Sequence, residues 1–241
     1  MDNVFVDELC VGIITVIARN GESGSFCHLV LLFQINMMVW GKREWKRMTD
    51  RERWNQKYNE PMYLYGREPT LFLKQKLGLL RKGRALVLAM GEGRNAVYLA
   101  QNGFDVTGVD VSDVAIGKCK ILAEERGVKL DTVVADLTDY DLGTEQYELI
   151  TNFFFYDELI LTRAIRYLKP GGIFIFEQFS CEHAKYGQFG PKNSAYLVQP
   201  SELLRIFKAF RLLYFEDTVS EYNEGIHKGT AAILRLIVQS S

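Results

Sequence analysis

The sequence predicts an α/β protein built on one doubly wound, mostly parallel sheet of seven strands. Three observations predict it. Short apolar runs recur from Arg84 onward, as in strands covered on both faces. Amphipathic helical segments stand between most of them, which implies parallel strands joined by right-handed crossovers. The last two runs have no helical pattern between them, so they are expected to pair as an antiparallel hairpin at one edge, leaving the last strand antiparallel.

Taken in order, Ala85-Leu86-Val87-Leu88-Ala89 is the first strand, and Gly91-Glu92-Gly93 turns the chain. Asn95 to Gln101 reads as a helix stopped by Asn102-Gly103. Asp105 to Val109 is the second strand, ending at Asp110; Ser112 can cap the following helix, which ends at Gly127. Leu130 to Ala135 and Tyr147 to Asn152 are the third and fourth strands, and Glu158 to Leu168 is helical. Lys169-Pro170-Gly171-Gly172 breaks the pattern before a fifth strand, Ile173 to Gln178. Pro200-Ser201 opens a short helix to Phe210, and the final strands span about Arg211–Glu216 and Thr230–Val238, with Asn223-Glu224-Gly225 near the turn.

A length of 241 residues accommodates one sizeable α/β domain. Lys plus Arg number 29 and Asp plus Glu 30, so the net charge of −1 gives no electrostatic reason to expect a nucleic-acid or membrane-surface partner. Cys10, Cys27, Cys119 and Cys181 form no CxxC pair and read as free thiols of a reducing compartment, so a cytoplasmic location and no metal site are expected. The expected partner is a small-molecule substrate, and the protein a monomer or homodimer.

Residues 1–47 do not match the rest. Their apolar stretches, 9–18 and 29–40, are each shorter than the roughly 20 residues that cross a bilayer. Asp2, Asp7 and Glu8 are unlike the basic start of a signal peptide. Met48-Thr49-Asp50 resembles a natural start, with Thr49 or Asp50 capping a helix through Trp54 and Tyr58. Residues 1–47 are therefore expected to be a dispensable extension, and 48–241 the functional domain.

Ligands of an open α/β sheet bind outside the carboxyl ends of the strands, near the switch in strand order. Those ends carry Gly91-Glu92-Gly93, Asp110, Asp136 and Asn152. Glycines let backbone approach a ligand, and a helix N-terminus offers free N–H groups. A carboxylate at the second strand end can accept both hydroxyls of a ribose; one at the third can accept from an adenine amino group. Together they describe an adenosine-shaped site. Gly91 to Ala96 also fits the G-x-G-x-x-A dinucleotide fingerprint, with Asp110 at the expected spacing, so an NAD-dependent oxidoreductase is the alternative.

Ala85 through Val109, Asp110-Val111-Ser112, Val134-Ala135-Asp136-Leu137 and Leu168-Lys169-Pro170-Gly171-Gly172 resemble the class I S-adenosylmethionine-dependent methyltransferases, with their Rossmann-like fold. Gly-Glu-Gly-Arg-Asn is most similar to the tellurite-resistance-type and thiopurine-type branch. Trp54–Tyr58 and Tyr65-Gly66-Arg67-Glu68-Pro69 look like its cofactor-covering segment, here 48–82. The resemblance implies S-adenosylmethionine as cofactor, with Ala89, Gly91 and Gly93 near its methionine part, Asp110 and Val111 at the ribose, and Asp136 and Leu137 at the adenine. Tyr65, Arg94, Asn95, Asn152 and Phe153 complete the expected cofactor set. Where the family carries an acidic residue in the first strand, this chain has Val87, and where it carries Gly-Cys-Gly, this chain has Ala89-Met90-Gly91.

Aromatic faces can hold a sulfonium cation, and Phe153, Phe154, Phe155 and Tyr156 follow the fourth strand while Tyr63 and Tyr65 lie on the covering segment. Tyr156 and His183 are the candidate catalytic residues, with Glu177 and His227 as further candidate bases. Arg94 could pair with the cofactor's carboxylate or with Glu92. The expected acceptor is a small molecule, a thiol or chalcogen nucleophile being the favoured kind; a non-catalytic cofactor-binding protein is the other alternative. Deleting residues 1–47 is expected to leave cofactor affinity unchanged, and a large loss in a binding titration would show that they belong to the fold.

Overall fold

The apolar runs become strands because only a sheet covered on both sides can bury them. The structure is a computed structural model that describes residues 48–141, 143 and 146–241. The expectation for residues 1–47 lies outside these. The chain divides into two units, Met1–Arg53 and Trp54–Ser241, and the second holds the sheet.

In chain order the elements are α1 (Asp50–Tyr58), α2 (Leu71–Lys76), β1 (Arg84–Leu88), α3 (Arg94–Gln101), β2 (Asp105–Asp110), α4 (Asp113–Glu125), β3 (Asp131–Val134), β4 (Tyr147–Phe153), α5 (Glu158–Ala164), β5 (Leu168–Phe179), α6 (His183–Tyr186), α7 (Pro200–Ile206), β6 (Arg211–Glu224) and β7 (His227–Gln239). The described residues form a seven-stranded sheet in the order β3-β2-β1-β4-β5-β7-β6. The pairs from β3 to β5 are parallel, and β7 runs antiparallel to both β5 and β6. The winding reverses between β1 and β4, which places the switch point there.

Local chemistry sets the element ends. Thr49 and Glu52 form a reciprocal cap at the start of α1, with the Thr49 N–H donating to Glu52 Oε2 at 2.7 Å. Ser112 Oγ accepts from Ala115 N–H at the start of α4, and Asp157 Oδ1 from Ile160 N–H at the start of α5. Each face of the sheet buries its own apolar layer. Leu86, Leu88, Ile150, Phe174 and Phe176 pack with α5 and α7 on one face. Ala85, Val87, Leu149, Ile173 and Ile175 pack with α3 and α4 on the other.

Two elements differ from the sequence expectation. The fifth strand begins at Leu168, and Lys169-Pro170-Gly171-Gly172 forms an irregularity within it: the pairing steps from Tyr147 opposite Leu168 to Leu149 opposite Ile173. The hairpin strands are also far longer than expected, meeting at a two-residue turn, Gly225-Ile226. Asp217 to Glu224 is too polar to read as a buried strand, yet it alternates, with Tyr222 buried beneath it. The β5 ladder stops at Phe179 opposite Ile233, and residues 227–232 carry the hairpin past the end of β5, pairing with β6 on one side while Ala232 O and Thr230 O accept from Ser180 N–H and Gln188 N–H on the other. Among the described residues, no helix is long and apolar enough to cross a membrane.

Candidate functional site

Immediately after β1 the backbone enters the left-handed region three times, at Ala89 (φ 45°), Gly91 (φ 57°) and Gly93 (φ 86°). Glycine tolerates this freely; Ala89 does so at a cost of roughly 1–2 kcal/mol. Among the described residues, the other non-glycine position of this kind is Phe154 (φ 58°), just beyond β4. The two therefore flank the switch point, where backbone strain most often serves a ligand.

Asp110, at the end of β2, holds this turn. Its Oδ2 accepts from Gly91 N–H at 2.7 Å, and its Oδ1 from Ser112 N–H at 2.8 Å. Burial pushes its carboxyl up, while the Ser112 and Gly91 N–H groups oppose that shift. Each oxygen keeps a lone pair, so the carboxylate can still accept from a neighbouring diol. Gly93 stands at the N-cap of α3 without a side chain to cap it, and the first-turn N–H groups of a helix have no intrahelical partner. This cradle suits an anionic group. Next to β2, Ala135 N–H bonds Asp110 O at 2.9 Å and fixes the end of β3. Asp136 is exposed there, its Oδ1 accepting from Thr138 N–H and Oγ1–H, while Leu137 is buried and Val111 half-buried.

Residues 54–71 lie over these strand ends, tied at many points. Asn55 accepts from Ser112 Oγ–H at 2.7 Å and donates to Asp113 at 2.8 Å. Tyr63 Oη–H donates to Lys118 O, and Lys118 Nζ reaches both Met62 O and Glu92. Tyr65 N–H donates to the other oxygen of Glu92 at 3.3 Å. Arg94 pairs with Glu224 of the hairpin and donates to Tyr65 O, each at 2.8 Å, rather than pairing with Glu92 as the sequence allowed. Glu92 is held by Lys118 instead. Asn95 Oδ1 accepts from Thr70 N–H. The hairpin tip closes the arrangement: Ile226 N–H bonds Leu64 O, and a Cβ on Gly225 would lie 2.4 Å from that same oxygen. Glu224 and Gly225 were not legible as site residues in the sequence because the strand read there stopped at about Glu216, short of Glu224; the turn glycine was the one available signal.

On the β4 side, Asn152 is fully buried with neither amide atom hydrogen-bonded. Phe153 and Phe155 pack on opposite core layers, and Phe154 on the small cluster under the hairpin. Tyr156 is half-buried against the core, its hydroxyl 3.5 Å from Glu202, and burial with that carboxylate pushes it up to about 12. His183, expected as a catalytic residue, opens the short helix α6. It is buried, its Nδ1 accepts from Ala232 N–H at 3.3 Å, and its Nε2 lies 2.6 Å from Phe189 O, so both nitrogens are committed in a neutral ring. That geometry leaves it no lone pair for a proton. His227 sits among Phe154, Tyr65 and Phe189 with centroids 4.7–4.9 Å away; burial, aided by Arg94, pushes it down to about 3. Glu177 is buried too, with Oε1 accepting from Tyr222 Oη–H and Arg235 Nε–H. Among the described residues, no group of three His, Cys, Asp or Glu side chains could hold a metal ion.

Comparison with known proteins bears on this region. Residues 85–172 match the family model of the methyltransferase domain, and these residues carry the glycine turn, Asp110, Asp136 and Asn152. The chain is 35% identical over 99 residues to an uncharacterized methyltransferase of Synechocystis sp., covering 38% of this chain and 44% of that one. It is 28% identical over 140 residues to YqeM of Bacillus subtilis, which carries a methyltransferase name, covering 55% and 56%. The chain thus spans about half the length of the curated relatives it matches. Among solved structures it resembles TehB from Haemophilus influenzae, with a TM-score of 0.61 at 16% identity over 79% of this chain and 67% of that one. It also resembles the N-methyltransferase NodS from Bradyrhizobium japonicum in complex with S-adenosylhomocysteine, with a TM-score of 0.55 at 15% identity over 71% and 84%. These structural likenesses establish the fold.

Within the glycine turn, Gly93 has the least room for a side chain. A Cβ there would lie 2.2 Å from the Sγ of the buried Cys119, on a backbone that disfavours any side chain. Gly93→Ala is expected to cost at least about 2 kcal/mol, lowering Tm by roughly 5 °C or more in thermal unfolding. An unchanged Tm would show that α3 moves freely away from α4.

Proposed function

We propose that the chain is an S-adenosylmethionine-dependent methyltransferase acting on a small-molecule acceptor. The observation that carries this is the buried Asp110 carboxylate, which fixes the glycine turn after β1 and keeps acceptor capacity for a ribose diol. It lies within the stretch that matches the methyltransferase-domain family. Asp136 and Leu137 would meet the adenine. The α3 N-terminus would meet the methionine carboxylate, with Arg94 lending positive charge nearby. Ala89, Gly91, Gly93, Val111, Asn152 and Phe153 would line the rest, and Asn95 and Tyr65 hold the covering segment in place.

When bound, the cofactor supplies a methyl group already activated on a sulfonium centre. The protein's part is to position and to exclude water. The bonds from Asn55, Tyr63, Tyr65 and Ile226 seal the covering segment over the strand ends. Phe154 and Tyr65 offer aromatic faces that suit a cation.

The acceptor is a soft nucleophile, a thiol or chalcogen anion, in keeping with the tellurite-resistance-type and thiopurine-type branch. What supports this is the state of the candidate bases. His183 has both nitrogens committed, His227 is pushed down to about 3, and Tyr156 is pushed up to about 12. None of these three is poised to take a proton near neutrality, and Glu177 is tied through Oε1 to Tyr222 and Arg235, which favours an acceptor that reaches the site as an anion on its own account.

Two outcomes follow. Asp110→Ala should weaken S-adenosylhomocysteine binding by about tenfold or more, because the ribose hydroxyls lose a buried charged acceptor; unchanged affinity would remove the ribose assignment. Between about pH 5 and pH 9, kcat/KM for thiol acceptors should rise with pH up to each acceptor's own pKa and shift when that pKa is changed. A bend at one fixed pH for every acceptor would instead assign a base to the protein.

A further inference from the structure

A cofactor with a methionine part brings an α-ammonium group into the site, and that cation needs an acceptor. Strand β1 offers no carboxylate: it reads Arg84-Ala85-Leu86-Val87-Leu88, and Ala89 and Met90 follow. The nearby carboxylates are mostly engaged. Glu92 is taken by Lys118 and Tyr65 N–H, and Glu224 by Arg94 and Leu71 N–H. Asp110 is held by two backbone N–H groups, and its remaining lone pairs are those assigned to the ribose diol. Glu216 bonds Arg235 and Tyr214 Oη–H.

Glu177 is different. Its side chain is 1% exposed, and Tyr222 Oη–H at 2.6 Å and Arg235 Nε–H at 2.9 Å both go to Oε1. Its Oε2 is buried without any hydrogen-bond partner, the one carboxylate oxygen in that condition among the described residues. Arg235 is shared with Glu216, so Glu177 receives only part of one guanidinium. An unpartnered oxygen of a buried carboxylate is costly unless something else meets it.

A second orphan lies close by in the sheet. Thr151 Oγ1 is buried and unpartnered. Thr151 pairs with Val87 of β1 on one side and Ile175 of β5 on the other, and Glu177 lies two residues beyond Ile175. Side chains two apart share a face, so Thr151, between Leu149 and Phe153, and Glu177, two beyond Ile175, project to the same side of the sheet as Val87, the side that packs against α3 and α4, with Glu177 level with the end of β4 at Phe153. A carboxylate oxygen and a hydroxyl oxygen, both buried and both free, make an acceptor pair for an N–H₃⁺ group.

We propose that Glu177, through Oε2 and assisted by Thr151, is the positioning residue that receives the α-ammonium of the cofactor's methionine part. This rests on the methyltransferase reading. Tyr222 and Arg235 fix Oε1 and so aim the free oxygen, which gives the long hairpin a role in holding the cofactor.

The test is binding, read by calorimetry on the full chain, with three ligands: S-adenosylhomocysteine, its counterpart without the amino group, and 5′-methylthioadenosine, which lacks the amino-acid part. The wild-type protein should bind S-adenosylhomocysteine about tenfold or more tighter than the desamino ligand. In Glu177→Gln that preference should collapse, while affinity for 5′-methylthioadenosine stays unchanged. If Glu177→Gln does not fold, Glu177→Asp keeps the charge opposite Arg235 but withdraws the free oxygen, and should lower the preference at least threefold. No wild-type preference for the amino group, or a preference that survives substitution at Glu177, overturns the proposal. Failure of the wild-type protein to bind S-adenosylhomocysteine or 5′-methylthioadenosine would instead overturn the methyltransferase reading on which it rests.

Discussion

The buried carboxylate of Asp110 is the contact on which the rest of the site depends. It joins the end of β2 to the turn after β1 through Gly91 N–H, and to the start of α4 through Ser112 N–H. Backbone that leaves a strand in left-handed conformations has few ladder bonds to hold it, so a charged acceptor is the means of fixing it. Burial works against the charge on Asp110, and the two N–H donors counter that. The same carboxylate can serve a ligand diol because each oxygen spends only one lone pair on the fold.

Around this clamp the chain builds a closure from two parts remote in sequence. The covering segment comes before β1 and the hairpin tip after everything else, yet Arg94 joins them by bonding Tyr65 O and Glu224 together. Arg94 opens α3, directly after the glycine turn. A buried guanidinium shared in this way couples the covering segment, the turn and the hairpin, so a ligand on the turn would act on all three. The hairpin carries its own polar core, in which Arg235 bridges Glu177 and Glu216.

Most of the architecture was legible in the sequence because it rests on local rules. The strands β1 and β2 are apolar runs that end beside the glycine turn and at Asp110, and Ser112 caps its helix as its position suggests. The hairpin was only half legible. Its outer portion on β6 is polar, so hydropathy could not mark it. The consequences propagated: Asn223-Glu224-Gly225 was placed near a turn but not at the site, and Glu224 was not foreseen as a partner of Arg94. His183 misled for a related reason. A histidine in a polar stretch looks solvated, but Phe189, six residues on, and Ala232 of β7, remote in sequence, take up its two ring nitrogens. The carboxylates at the strand ends, by contrast, stand where strand topology alone places them.

The central claim is that these strand ends form an S-adenosylmethionine site and not a dinucleotide site, although Gly91 to Ala96 fits both patterns. The most direct measurement is a side-by-side calorimetric titration of the purified protein with S-adenosylmethionine, S-adenosylhomocysteine and NAD(H). The account predicts micromolar binding of the first two and none of the third. Binding of NAD(H) alone would contradict it and assign the glycine turn to a pyrophosphate.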